Sequence, residues 1–388
     1  MKFSQYIGLI SCFVALNYSL AFGAENDSNK ATVINKPSAT QTVLKSIVSK
    51  GPALNKDFAS GVAAPFSGVI KNTLILAGGS NYKNNILGDK PEDTKLYYKD
   101  IYGAIITSKS KKQSWKKLGE MPEELANGAA AVAADSMYII GGTNAKGDKA
   151  GVLELSLING VLKCETISWL PVVISNHGAA VIDNYLYVVG GLQNNKPSRD
   201  VYRMNLSGDR KKWEKLPSLP EDVRIQPVVT SQKDASGKKM LYVWSGFTGW
   251  GKDAALICGG YKYDPIAKKW SGLGAPLKNE RRVYLGGGNA VALGENQIIA
   301  FGGFDYNIFL ESLKNPVKDY NNHEAAWYKH NQDIYSFNTL NNRWSYIGSL
   351  PNMATVHAGG VVYENAIYSL EGELKPGTNT NLILKIDM

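Results

Sequence analysis

Short apolar runs recur along the chain, and each ends in small residues. Leu74-Ile75-Leu76-Ala77 runs into Gly78-Gly79, and Tyr138-Ile139-Ile140 runs into Gly141-Gly142. The stretch Tyr185 to Val189 meets Gly190-Gly191, and Ile298 to Phe301 meets Gly302-Gly303. Two copies vary the ending: Leu241-Tyr242-Val243-Trp244 meets Ser245-Gly246, and Ala366 to Leu370 meets Glu371-Gly372. A short apolar run bounded by turn signals predicts a buried strand. The copies return roughly every 50 to 70 residues, so the chain reads as six supersecondary units.

Each unit keeps one internal order. A strand of small residues comes first, as in Gly128-Ala129-Ala130-Ala131, Gly178-Ala179-Ala180 and Ala358-Gly359-Gly360. The Gly-Gly strand follows, then a polar loop and an alternating strand such as Asp100-Ile101-Tyr102, Asp200-Val201-Tyr202 or Asp333-Ile334-Tyr335. A tryptophan comes next (Trp115, Trp213, Trp270, Trp344), and a proline marks the turn (Pro122, Pro220, Pro276, Pro351). Gly259-Gly260 is outside the scheme, because it precedes an alternating strand. Four short strands per unit with these signals form the kelch pattern. The fold predicted for residues 41–388 is all-β: a six-bladed kelch-type β-propeller. Small residues suit strands crowded around an axis. Tyrosine and tryptophan supply apolar area between blades.

The last unit has three strands, near 357–363, 366–371 and 381–387. Residues 41–56 read as one strand with no neighbour in sequence. That strand can complete the last blade, close the ring and remove an open edge.

Ahead of the propeller, Lys2, the apolar stretch from Ile7 to Leu20 and Ala21-Phe22-Gly23-Ala24 read as a signal peptide over 1–24. Residues 25–40 are polar and read as a flexible linker. The mature protein is expected to be periplasmic or secreted. Leu9-Ile10-Ser11-Cys12 resembles a lipoprotein box, but further apolar residues follow it, which disfavours lipidation. No other apolar run reaches membrane-spanning length, so no membrane span is expected.

Composition changes the picture in two places. The formal charge is +9, but the lysines are scattered in small groups beside turns. No aromatic-basic nucleic-acid motif accompanies them. The positive field instead favours an anionic small molecule. Of the three cysteines, Cys164 and Cys258 fall within the propeller and either pair or stay as buried thiols. No Cys/His pattern has metal-ligand spacing, so neither a metal nor a cofactor is expected.

Strand alternation puts the loop entering each first strand and the loop leaving each Gly-Gly strand on one face. The entering loops carry Asn127, Asn176, His177, Arg224, Arg281, Arg282 and His357. The leaving loops carry Asp305, Asn307, Glu371, Glu373, Lys375 and Asn379. The histidines are either corner hydrogen-bonders or site residues. The arginines either grip an anion or bind loop carbonyls. His323 and His330 sit in an aromatic, charged insertion and read as surface or lid residues. Glu371 and Glu373 break the repeat's own rule, which marks at least one of them as functional.

Three runs sharpen this reading: Gly302-Gly303-Phe304-Asp305-Tyr306-Asn307-Ile308-Phe309, Trp344-Ser345-Tyr346 and Gly372-Glu373-Leu374-Lys375-Pro376-Gly377. Together they resemble the N-acetylneuraminate epimerase (sialic acid mutarotase) family. The resemblance is cyclically permuted, because the Gly-Glu-x-Lys-Pro-Gly loop lies mid-chain in the family's best-known form and in the last blade here. It implies a periplasmic isomerase that interconverts the α and β anomers of N-acetylneuraminate, a small anionic sugar. Glu373 matches the family's catalytic glutamate. The arginine expected six residues later is Asn379 here. Glu373 is then the expected general base. Arg224, Arg281 or Arg282 is expected to hold the sugar carboxylate. Asn307, Lys375, Asn379, His177 and His357 are further candidates for substrate contact. The alternative is a non-catalytic propeller that binds carbohydrate or protein.

Overall fold

The computed structural model describes residues 44–388 except 45, 54–57, 86, 88–94, 108, 211, 316–319 and 351–354. The expected signal peptide and linker lie outside the described residues. Each apolar run does form a strand, and each pairs antiparallel with the small-residue strand before it. Phe66–Ile70, Thr73–Ala77, Asp100–Ile105 and Lys116–Glu120 make one four-stranded sheet in chain order. Gly178–Ile182 through Trp213–Leu216, Val228–Lys233 through Lys269–Leu273, and Asn289–Leu293 through Arg343–Ser349 repeat that order. A longer, seven-stranded sheet holds Ala129–Ala133, Ser136–Ile140, Gly147–Ile158 and Val161–Ser175 in the same sequence. The last sheet joins Gly359–Tyr363, Ala366–Leu370 and Leu382–Asp387 to Ser46–Lys50 from the other end of the chain. Ser46 sits opposite Ile386 and Lys50 opposite Leu382. The fold is thus all-β, with a propeller-like arrangement of sheets.

The first strand of each sheet lies beside the first strand of the next, which explains the small residues there. A Cβ on Gly178 would come within 2.2 Å of Val229, and one on Gly359 within 2.6 Å of Ser67. Both contacts cross from one sheet to its neighbour.

The core is divided into wedges between neighbouring sheets. One wedge packs Leu74, Leu76 and Tyr102 of the first sheet against Val361, Tyr368 and Ile383 of the last. The motif tryptophans complete the wedges, and each indole N–H donates backward to the preceding unit. Trp213 donates to Ser168 Oγ at 3.1 Å, Trp270 to the Pro217 carbonyl at 2.9 Å and Trp344 to the Gly274 carbonyl at 3.0 Å. Trp115 donates to the Lys50 carbonyl at 3.2 Å, beside the strand that completes the last sheet. An indole packed against a neighbouring sheet is best placed with its N–H on an acceptor, and the sheet order supplies one each time.

The Gly-Gly signal also has a backbone reason. Gly78 and Gly79 have φ of 59° and 96°, and Gly302 and Gly303 have 73° and 106°. Where the first glycine is absent, Ser245 and Glu371 still adopt φ of 54°. This left-handed region is uncommon for residues with a Cβ. Their side chains do what glycine cannot. Ser245 Oγ accepts from Leu285 N at 2.9 Å, and Glu371 Oε2 accepts from Val62 N at 2.9 Å, each capping the start of the following unit.

Among the described residues no helix is long and apolar enough to cross a membrane. Cys258 is buried, Cys164 is half-buried, and both are free thiols. Burial pushes each thiol up to about 11.

Candidate active site

Two sets of loop residues meet at one end of the axis. The first set precedes the innermost strands: Ala64, Asn127, Asn176, Gln226, Gly287 and His357. All six have positive φ, between 50° and 78°. Backbone hydrogen bonds pass between them around the axis. Ala64 N donates to His357 O at 2.7 Å, Asn176 N to Asn127 O at 2.7 Å, Gln226 N to Asn176 O at 2.8 Å and His357 N to Gly287 O at 2.8 Å. These residues line a polar axial channel of about 220 Å³. The second set follows the glycine pairs: Ser80, Thr143, Leu192, Phe247, Phe304 and Glu373. Backbone bridges such as Ala63 to Ser80 and Val356 to Glu373 tie the two sets together.

Glu373 opens a two-stranded hairpin, Glu373–Lys375 with Thr378–Asn379. The turn Pro376-Gly377 reaches back to it, and Gly377 N donates to Glu373 Oε1 at 2.7 Å. Gly377 has a φ of 73°, and a Cβ there would lie 2.5 Å from Leu87. Only glycine fits both demands. Oε2 of Glu373 lies 3.4 Å from His357 Nδ1, and His357 Nε2 lies 3.0 Å from Gln226 Nε2. Glu373 is 4% exposed; Oε1 accepts from Gly377 N, and Oε2 faces the His357 ring.

The carboxylate faces a cavity of about 30 Å³, walled by Phe247, Trp250, Phe304, Phe309 and His330. Part of this wall is helix α1 (Tyr306–Lys314), started by Asp305, whose side chain accepts from Ile308 N at 2.9 Å. Phe304 and Phe309 stack at 4.0 Å, and His330 and His357 meet the Phe304 ring edge-on. An open cleft of about 1020 Å³ adjoins the cavity and shares Phe304 and His330 with it. The cavity holds little more than a water molecule. The cleft is large enough for a sugar.

The candidate residues separate into three environments. Glu373 and His357 come together. Arg281 and Arg282 line the cleft with Asn307, and their exposed guanidiniums make no hydrogen bond or ion pair among the described residues. Arg224 is buried and occupied: Nη1 donates to the Ser245 carbonyl at 3.0 Å and the Gly259 carbonyl at 2.9 Å, and the guanidinium lies over Tyr261. It braces a loop, the second of the two roles expected for the arginines. Arg281 and Arg282 thus stand in the cleft and Glu373 in the adjoining cavity, while Arg224 lines neither.

His177 lies at the channel, and neither ring nitrogen has a hydrogen-bond partner among the described residues. Burial pushes its pKa down to about 3, so the ring is neutral. Lys375 Nζ donates to the His323 carbonyl at 3.0 Å and ties the hairpin to the insertion. Asn379, where the family arginine was expected, is the cross-strand partner of Glu373, and its Nδ2 lies 3.5 Å from the Ser80 carbonyl. Glu371 is fully buried, and burial raises its carboxyl well above the usual range. Its carboxyl is spent on Val62. His330, read from sequence as a surface or lid residue, is buried against Phe304.

The most informative residue not singled out from sequence is Gln226. It occupies the same place in its unit as His357 does in the last one. Aligning the repeats on the residue before the innermost strand would have found it.

A family model described as N-acetylneuraminate epimerase matches residues 168–388, more than half of the chain. The chain belongs to the N-acetylneuraminate epimerase family. The match includes Glu373 and its loop. Among curated relatives, an N-acetylneuraminate epimerase of Salmonella enteritidis PT4 is 29% identical over 197 residues, which is 47% of this chain and 49% of that protein. The protein of the same name from Salmonella arizonae is 28% identical over 199 residues, with the same coverage. A kelch domain-containing protein of Vibrio cholerae serotype O1 is 27% identical over 184 residues, covering 42% of this chain and 49% of that one. The chain spans about half the length of the curated relatives it matches. The matched span contains the Gly372–Gly377 loop and Asn379.

Proposed function

We propose that this protein is a mutarotase that interconverts the α and β anomers of N-acetylneuraminate, with Glu373 as general base. The observation that carries the reading is Glu373 itself. It stands in the family's loop, buried beside a cavity, with its carboxylate oriented by Gly377 N–H and faced by His357. Mutarotation breaks and re-forms one ring C–O bond with no net change in protons. Glu373 would take the proton of the anomeric hydroxyl, the ring C–O bond would break to give the ketone, and the ring oxygen would gain a proton from water. Rotation about the chain and the reverse steps would close the other anomer. General-base action of this kind is worth roughly 10²- to 10⁴-fold.

Arg281 and Arg282 are the proposed holders of the sugar carboxylate. They are unpaired cations in the cleft that shares a wall with the Glu373 cavity. Arginine suits a carboxylate because its fork makes paired charge-assisted hydrogen bonds. For the sugar to reach Glu373, the Phe304–Phe309 wall must part. Asn307 stands in the same cleft as a further contact.

The reading includes a six-bladed ring closed by the pairing of Ser46–Lys50 with Leu382–Asp387. A likeness limited to about half of each relative agrees with a permuted ring. It also includes a signal peptide over 1–24 and a periplasmic or secreted protein. A non-catalytic binding propeller is the second reading, favoured by Asn379 in place of the arginine.

The test is proton NMR of α-N-acetylneuraminate freshly released by a sialidase. The β anomer should appear faster with the purified protein than in buffer, and Glu373→Gln should abolish the gain. A wild-type rate equal to buffer would overturn the mutarotase reading and leave the binding one.

A further inference from the structure

Glu373 ends a chain of side-chain hydrogen bonds that crosses the axis. The far end is Asp148, in the strand Gly147–Ile158. Ser175 Oγ donates to Asp148 Oδ2 at 3.1 Å, and Asn176 Nδ2 donates to Ser175 Oγ at 3.2 Å. Gln226 Nε2 donates to Asn176 Oδ1 at 3.3 Å and lies 3.0 Å from His357 Nε2. His357 Nδ1 then lies 3.4 Å from Glu373 Oε2. The six residues come from four separate units, and apart from the bond between the neighbours Ser175 and Asn176 every link joins residues far apart in sequence.

With Asp148 ionised, the direction of every bond follows, even though burial raises the pKa of that carboxyl. An ionised carboxylate only accepts, so the Ser175 hydroxyl points its hydrogen at Asp148. The Ser175 oxygen is then left to accept, which turns the Asn176 amide nitrogen toward it. The Asn176 oxygen therefore faces Gln226 and must receive an N–H. That orients the Gln226 amide nitrogen toward both Asn176 and His357. An amide nitrogen cannot accept, so His357 Nε2 must be the bare, accepting nitrogen. A neutral imidazole carries one proton, so the proton sits on Nδ1, aimed at Glu373.

We propose that this chain locks His357 in its Nδ1–H tautomer, making His357 a positioning residue for the Glu373 carboxylate and Gln226 the residue that selects the tautomer. The inference rests on Glu373 being the base only for its kinetic consequences. The tautomer itself is a property of the folded protein. The arrangement works because both ends of the chain are carboxylates, so Gln226 donates in both directions. His357 consequently cannot turn its bare nitrogen toward Glu373 and compete for the proton that Glu373 removes from substrate.

Two measurements test this. Long-range ¹H–¹⁵N correlation spectra of the full protein can separate its four histidines, with His357→Asn identifying the signal. A protonated Nδ1 and bare Nε2 are expected for His357 in the wild type, and a proton on Nε2 in Gln226→Glu, where a carboxylate would accept from it. A wild-type His357 with its proton on Nε2 would overturn the proposal. The second measurement uses kinetics. His357→Ala should lower kcat at least about tenfold with KM little changed, the pattern of an interaction that matters in the transition state. His357→Asn, whose amide places an N–H where Nδ1–H stands, should restore much of the loss. His357→Gln, which imitates the other ring nitrogen, should not. Equal activity of the Asn and Gln variants would overturn the positioning role. Absence of any wild-type turnover with the Nδ1–H tautomer present would remove the mutarotase reading and support the tautomer lock.

Discussion

At the scale of single residues, the two carboxylates that break the repeat divide the work. Glu373 faces the cavity, with one oxygen held by Gly377 N and the other against the His357 ring. Glu371 turns inward, keeps a left-handed φ of 54° and caps Val62 N. Its second oxygen has no hydrogen-bond partner among the described residues. Burial raises its pKa in the folded protein above the unfolded value. The sign of the linkage follows. The folded state holds the proton more tightly, so this group's contribution is fully present below the unfolded pKa. It is lost as pH rises toward the folded pKa, at up to about 1.4 kcal/mol per pH unit. Glu371→Gln should remove that slope, so the difference in Tm between variant and wild type should grow in the variant's favour as pH rises above the ordinary glutamate range. Thermal melts across a pH series read this directly. A constant difference would mean that Glu371 does not titrate there. Gly51→Ala should be harmful in the same place, because its Cβ would lie 2.2 Å from Glu371 Oε1.

At the scale of elements, the tryptophan bonds and the Lys375 tie carry the argument. Trp344 packs edge-on to Trp244 at 5.0 Å, and both indoles donate to the Gly274 carbonyl. Trp344→Phe keeps most of the packing and removes one donor, so a loss of about 1–3 kcal/mol in urea unfolding is expected. Lys375 links the Glu373 hairpin to the aromatic insertion through the His323 carbonyl, and His323 itself stacks on Trp327 at 3.8 Å. Lys375→Met should release that tie with little effect on global stability, because one surface-side hydrogen bond contributes only about 1 kcal/mol. Faster amide exchange across residues 320–328, with the rest of the chain unchanged, is the expected outcome. Unaltered exchange there would show that the aromatic packing alone holds the insertion.

At the scale of the whole molecule, the two ends of the chain meet in one sheet. Removing residues through Lys50 would strip a strand from Leu382–Asp387, leave Trp115 N–H without its acceptor and expose a new sheet edge. The truncated protein should melt at lower temperature than the full chain and self-associate more than it in size-exclusion chromatography. Much of the architecture was legible in the sequence because its signals are local. A Gly pair, a tyrosine and a tryptophan each act within a few residues of their own strand, and the repeat multiplies the signal. The carboxylate that breaks the glycine rule, Glu371, turned out to cap Val62 N, whereas Glu373 was singled out by the loop resemblance. What the sequence could not separate was the fate of chemically identical groups. Arg224 and Arg281 look alike along the chain, yet one is buried against two carbonyls and the other is left free in a cleft. The role of Gln226 was equally hidden, because its partners Asn176 and His357 come from other units. The sequence by itself determined the strands, their order and the loop that holds the glutamate, since those depend on short-range sterics and patterning. Tertiary structure alone decided which cations stay unpaired and which nitrogen faces the glutamate, because burial and hydrogen-bond direction are set by neighbours that only folding brings together.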